Sequence, residues 1–129
     1  MDEWLANDDR NIGNILFDGN NDFFFIDHER AIAKGLEPSV GANRNQILEA
    51  FYIQITEIEK HRRKRQVESE MLPAYSAIPF SLIADRTYAS RYLADNEIVE
   101  VIEFLENRLS HLTDLFQYRI GIKQQRLAI

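Results

Sequence analysis

The sequence predicts an α+β fold, mostly helical, in which a short two-stranded β-hairpin near the N-terminus packs on three to four helices. Three observations lead there. Between two short apolar runs, one ending at Phe17 and the next resuming at Phe23, lies the turn Asp18-Gly19-Asn20-Asn21, of residue types that tolerate positive φ and close tight turns. Farther along, apolar side chains recur at three- and four-residue spacing from Ile47 to Ile58 and again from Ile98 to Phe116, the period of an amphipathic helix. The 129 residues, 45% hydrophobic and 28% charged, suit one soluble globular domain, long enough to bury about two-thirds of its unfolded surface.

Taken in order, Met1 to Ala6 reads as a short helix or ordered arm, with Trp4 and Leu5 packing under the loop that follows. Asn14 to Phe17 is the first strand and Asp22 to Ile26 the return strand. From His28 to Asn43 the chain is irregular, punctuated by Gly35, Pro38 and Gly41; connections of that length are usually functional or mobile. A long helix is expected to start at Ala42 or Asn43, with Asn43 as a good N-cap. It carries Ile47, Leu48, Phe51, Tyr52, Ile55 and Ile58 on one stripe and runs into Lys60-His61-Arg62-Arg63-Lys64-Arg65, where cations face the negative end of the helix dipole. Gln66 to Glu70 is a polar exit, and Met71 to Tyr75 lies against the core. Pro79 suits the first turn of a third helix through Phe80, Leu82 and Ile83, with Tyr88, Tyr92 and Leu93 as its extension and a break near Asp85 to Thr87 as the alternative. Asp95 reads as the N-cap of the last long helix, whose stripe of Ile98, Val101, Ile102, Leu105, Leu109, Leu112 and Phe116 spans about five turns. Gly121 ends it or the turn after it, and the tail from Ile122 to Ile129 is expected to fray. The chain thus divides into a hairpin part, residues 1–28, and a helical part, residues 44–120, within one domain.

Composition bounds the function. A net charge of −6 weighs against general affinity for nucleic acid, and the basic run from Lys60 to Arg65 reads as a solvated helix end. Cysteine is absent, so disulfide and thiolate chemistry are excluded. No apolar run approaches the roughly 18 residues of a membrane span, and the acidic first residues do not resemble a signal peptide. The expectation is a cytoplasmic protein with no nucleic acid and no membrane among its partners. His28, His61 and His111 are too dispersed for a zinc site; His28, beside Asp27, reads as a hydrogen-bonded structural residue.

Three polar side chains carry the chemistry. Asn14 lies five residues after Asp9, and Asp27 thirteen after Asn14. Pairing the strands brings Asn14 near Asp27 at one end of the hairpin, and the preceding loop sets Asp9 beside them. Two carboxylates and an amide meeting there suit magnesium, which takes oxygen ligands. The plainer reading is that Asp and Asn serve as turn formers around a hairpin.

Asp-x-x-x-x-Asn followed by a hairpin and an Asp resembles the catalytic-loop and metal-binding pattern of protein-kinase-like folds. Asp9-Arg10-Asn11-Ile12-Gly13-Asn14, followed by Ile26-Asp27-His28, is similar to the Asp-Arg-x-x-x-Asn loop of HipA-type kinases and phosphoinositide lipid kinases. The resemblance implies a kinase C-lobe-like fold. It makes Asp9 the catalytic residue that orients the acceptor hydroxyl, Arg10 the Arg that follows it, and Asn14 and Asp27 the metal ligands, with Mg2+ and ATP as cofactors. Asn11 stands where these families usually have His, and Asp27 precedes His28-Glu29 rather than Phe-Gly. The loop begins at residue 7, and the five glycines are scattered, with no Gly-rich phosphate loop. The expectation is therefore a kinase-like C-lobe, inactive alone or completed by a partner chain that supplies the ATP-binding lobe. The alternative is a non-catalytic interaction or oligomerisation module derived from that fold. In either case the aromatic hairpin, Phe17 and Phe23 to Phe25, is expected to be covered by a second copy or a partner chain.

Overall fold

The computed structural model describes residues 1–28, 30–41 and 45–122. Among them the fold is mostly helical with one two-stranded antiparallel hairpin. Helix α1 covers Asp2–Leu5 and ends at Ala6 in the left-handed region, φ 48°. A single 3-10 turn, Ile12–Asn14, then feeds strand β1, Ile15–Phe17, which pairs with β2, Phe23–Phe25. The register sets Ile15 opposite Phe25 and Phe17 opposite Phe23. Both strands are shorter than expected. Asn14 belongs to the 3-10 turn rather than to β1, although its carbonyl still accepts from Ile26 N at 3.0 Å.

The stretch read as one long helix is divided. The expected starts at Ala42 and Asn43 lie outside the described residues. Helix α2 spans Gln46–Gln54 and is capped by Asn45, whose side chain accepts from Leu48 N at 3.1 Å. It stops at Ile55, and α3, Glu57–Gln66, starts afresh from Thr56. The cause is a capping box: Thr56 Oγ1 accepts from Glu59 N, and Glu59 Oε2 accepts from Thr56 N at 2.8 Å, a pair that satisfies the orphan donors of a new helix start. The stripe therefore does not continue to Ile58, which is exposed.

The expected polar exit at Gln66 to Glu70 is not an exit. The chain goes on through one π turn, Val67–Met71, into α4, Leu72–Ser76, and Val67 is buried. Helix α5 covers Phe80–Arg86, with Pro79 in the cap position just ahead of it. It ends where a break was expected, and a 3-10 turn at Ala89–Arg91 follows.

Helix α6, Asp95–Leu109, begins one residue earlier than a cap at Asp95 implies. Ala94 holds the cap position and its N–H is taken by Glu97 Oε2 at 2.8 Å. The long stripe then divides at Ser110 and His111, and α7 spans Leu112–Arg119. Gly121, at φ 68°, closes α7, and Ile122 packs into a cluster with Tyr52 and Ile120 rather than fraying; the rest of the tail lies outside the described residues.

Trp4 anchors the main core, but not under the loop. Its ring stacks on Tyr75 at 4.5 Å and meets Phe80 edge-on, and its indole N–H donates to the Leu105 carbonyl at 2.8 Å. Phe104, Leu105 and Leu112 complete that cluster. The hairpin stays outside both clusters. Its four phenylalanines are 49 to 61% exposed. No helix among the described residues is long and apolar enough to cross a membrane.

Candidate functional site

The site is built around Arg10, which is 1% exposed. Its guanidinium reaches back to α1, where Nε and Nη2 donate to the two carboxylate oxygens of Asp2 at 3.0 and 2.8 Å. Its Nη1 donates to the carbonyls of Asn14 and Ile26, each at 3.1 Å. Nη2 also lies 3.2 Å from His28 Nε2. A guanidinium has only donors, so that ring nitrogen accepts and the ring proton sits on Nδ1. The Phe25 ring covers the guanidinium, 5.2 Å from centroid to Cζ. One side chain thus ties α1, the loop and both ends of the hairpin together. A planar fork is suited to this, because it offers several donors at fixed angles. The Arg10 backbone contributes as well, its carbonyl accepting from Gln46 N at the start of α2.

Around this post the structure gathers the three residues that the spacing singled out. Asn14 Nδ2 donates to the Asp9 carbonyl at 3.0 Å. That carbonyl also accepts from Asn11 Nδ2, while Asn11 Oδ1 caps Gly13 N at 2.9 Å. A Cβ on Gly13 would lie 3.0 Å from Asn11 Oδ1, so glycine suits this tight turn. Asp27 follows directly on Ile26, whose N–H is bonded to the Asn14 carbonyl. It adopts φ 59°, a left-handed conformation that Asp tolerates better than most residues. The backbones of Asp9, Asn14 and Asp27 therefore converge at the open end of the hairpin.

Carboxylate and amide oxygens are the ligand types a hard divalent cation takes. Asn14 uses its amide nitrogen on the loop, which leaves Oδ1 as an acceptor. Among the described residues neither that oxygen nor the carboxylates of Asp9 and Asp27 has a hydrogen bond or an ion pair. The charge of Arg10 is already offset by Asp2, so it does not compensate the carboxylates of Asp9 and Asp27. Among the described residues no three His, Cys, Asp or Glu side chains come together as metal ligands. This set has two carboxylates and an amide, the sparse kind that magnesium completes with water and phosphate oxygens.

Sequence reasoning missed Asp2, Asn45 and Arg108. Asn45 Nδ2 supports Asp2 at 3.3 Å, as part of the same post. Arg108 on α6 is fully buried and donates to the carbonyls of Glu3, Pro38 and Val40. It clamps the irregular segment after the hairpin onto α1, and its burial lowers its pKa from the usual guanidinium value. Nothing in the local sequence marks these residues, because each acts on a partner distant along the chain. The basic run on α3 is partly neutralised by its neighbours: Lys60 pairs with Glu57 at 2.8 Å and Lys64 with Glu68 at 3.7 Å.

No family model, curated protein or solved structure matches this chain.

Proposed function

We propose that this chain is the phosphotransfer half of a kinase-like enzyme, with Asp9, Asn14 and Asp27 as its metal and acceptor site. One observation carries the reading. The amide nitrogen of Asn14 locks the Asp9 carbonyl, and Arg10 holds the Asn14 and Ile26 carbonyls together. The loop and the residue after the hairpin are thereby fixed as one unit, with their side-chain oxygens unspent. Positioning of this kind is most of what phosphoryl transfer asks of a protein.

In this reading Asp9 orients the attacking hydroxyl of the acceptor, and Arg10 acts as the post that keeps Asp9 and Asn14 in register. Asn14 Oδ1 and the Asp27 carboxylate hold magnesium, which supplies charge neutralisation on the transferring phosphate. The groups that grip the ATP phosphates belong to a partner chain seated over the exposed hairpin.

Calorimetry with ATP tests the reading. The expected result is weak, magnesium-dependent binding in the millimolar range that Asp27→Asn abolishes while the melting temperature stays unchanged. Heat that does not depend on magnesium, or binding indifferent to Asp27→Asn, would overturn it.

A second reading, an interaction or oligomerisation module that keeps the loop as scaffold, draws on the same exposed phenylalanines. It predicts self-association without magnesium-dependent nucleotide binding.

A further inference from the structure

A groove of about 380 Å³ lies between α6 and the irregular segment that follows the hairpin. Its floor is apolar. Ile32, Leu36 and Val101 are half-buried and Leu93 is more open, so each still presents surface to the groove. Its polar lining is Glu97, Glu100, Glu103 and Asn107 from α6 and Lys34 from the facing segment, all of them exposed. Three glutamates against one lysine leave the groove net acidic. Glu97 spends one oxygen on the Ala94 N–H. Glu100 and Glu103 make no ion pair among the described residues.

The chain itself carries the complementary face. On α3, Ile58, Arg62 and Arg65 are spaced four and then three residues apart and so share one side of the helix. All three are exposed, Ile58 to 72%. Lys60 and Lys64 are paired along the helix with Glu57 and Glu68, whereas Arg62 and Arg65 make no ion pair among the described residues. The carboxylates that flank the face are spent, Glu57 on Lys60 and Glu59 on the Thr56 cap. Within one chain the two faces do not meet, since no ion pair joins α3 to α6 among the described residues. The rows also match in length. Glu97 to Glu103 and Ile58 to Arg65 cover about 9 and about 10 Å of helix at the α-helical rise.

We infer that this groove receives α3 from a second copy of the chain. Ile58 enters the apolar floor. An apolar cavity of about 150 Å³ takes a benzene ring, so the groove has room for Ile58 with the aliphatic stems of Arg62 and Arg65. The two guanidiniums then lie along the glutamate row. The two surfaces differ, so the contact is heterologous and joins copies head to tail. Its charges make it sensitive to salt. Its small area makes it weak, populated on the order of hundreds of micromolar. The inference uses neither the hairpin nor Asp9 and Asp27, and it stands apart from the phosphotransfer reading.

The test is made on the full chain carrying Phe24→Lys, so that the hairpin face takes no part. Amide chemical shifts are followed as concentration rises to about 1 mM, at low and at high salt. The expected result is concentration-dependent shifts in two places at once, residues 58–65 and the groove residues 32–36 and 97–103, lost at high salt. Charge reversal supplies the decisive arm. Glu100→Lys with Glu103→Lys in one chain, and Arg62→Glu with Arg65→Glu in another, should each weaken self-association about tenfold or more. Mixing the two variants should restore the shifts, because each altered row then meets its opposite, and restoration also shows that both variants fold. No shift at about 1 mM, shifts at only one of the two faces, shifts that survive high salt, or a mixture no better than its components would overturn the inference.

Discussion

Arg10 shows what a single residue does for this fold. Its guanidinium is buried and bonded to a carboxylate and two carbonyls from separate segments. Replacing it with Met leaves Asp2 without its cation and two carbonyls without donors. The expected loss is about 3–5 kcal/mol, a large part of a small domain's stability, read as a fall in the urea midpoint. Arg10→Lys should restore little of it, because an ammonium cannot span the same acceptors. Asp27 behaves in the opposite way. It is exposed, spends no side-chain bond within the described residues, and sits in a conformation that Asn also tolerates, so Asp27→Asn should change stability by less than about 0.5 kcal/mol. The difference explains what was legible. The spacing of Asp9, Asn14 and Asp27 is local and could be read from the sequence. The pairing of Arg10 with Asp2, and of Arg108 with Pro38 and Val40, depends on tertiary approach that no spacing encodes.

At the scale of elements, the hairpin and the helical character of the chain were readable from turn chemistry and apolar period. The helix limits were not. The apolar period runs on through Ile55, which is why one helix was expected where α2 and α3 stand. The signal that divides them was present as Thr56-Glu57-Ile58-Glu59, a capping box, but the continuous stripe outweighed it. Thr56→Ala should cost about 1 kcal/mol, measured by denaturant unfolding. The same box is pH-sensitive. Hydrogen bonds from the Thr56 backbone and hydroxyl lower the Glu59 pKa. A carboxylate whose folded pKa is depressed contributes fully above its unfolded value and loses that contribution as pH falls through the folded one. The start of α3 should therefore loosen on acidification into the carboxylate range, seen as rising amide exchange at Glu59. Glu59→Gln, which removes the titrating group, should abolish this pH dependence, whereas Thr56→Ala, which keeps the backbone donor, should only reduce it.

At the scale of the whole molecule, the described residues form two apolar clusters, and neither strand of the hairpin belongs to them. Four half-exposed phenylalanines on a six-residue ribbon form a patch of the kind that marks an interaction surface. The chain is expected to self-associate or to capture a partner through that face. Light scattering at tens of micromolar should report a species larger than a monomer, and Phe24→Lys should return it to the monomer. The aromatic character of this ribbon was plain in the sequence. That neither face is buried, even the one where Ile15 is half-exposed and Phe25 lies over Arg10, was not, since alternation alone predicts that one face is covered.

The phosphotransfer reading requires Asp9, Asn14 and Asp27 to act together as an oxygen-ligand site for a divalent cation. Paramagnetic broadening by Mn2+, used as a probe of the magnesium position, tests it without nucleotide or partner. Substoichiometric Mn2+ should selectively broaden the amides of residues 9–15 and 26–28, and Asp27→Asn should remove the effect. Broadening spread evenly over the acidic surface, or centred on the glutamates of α6, would contradict it.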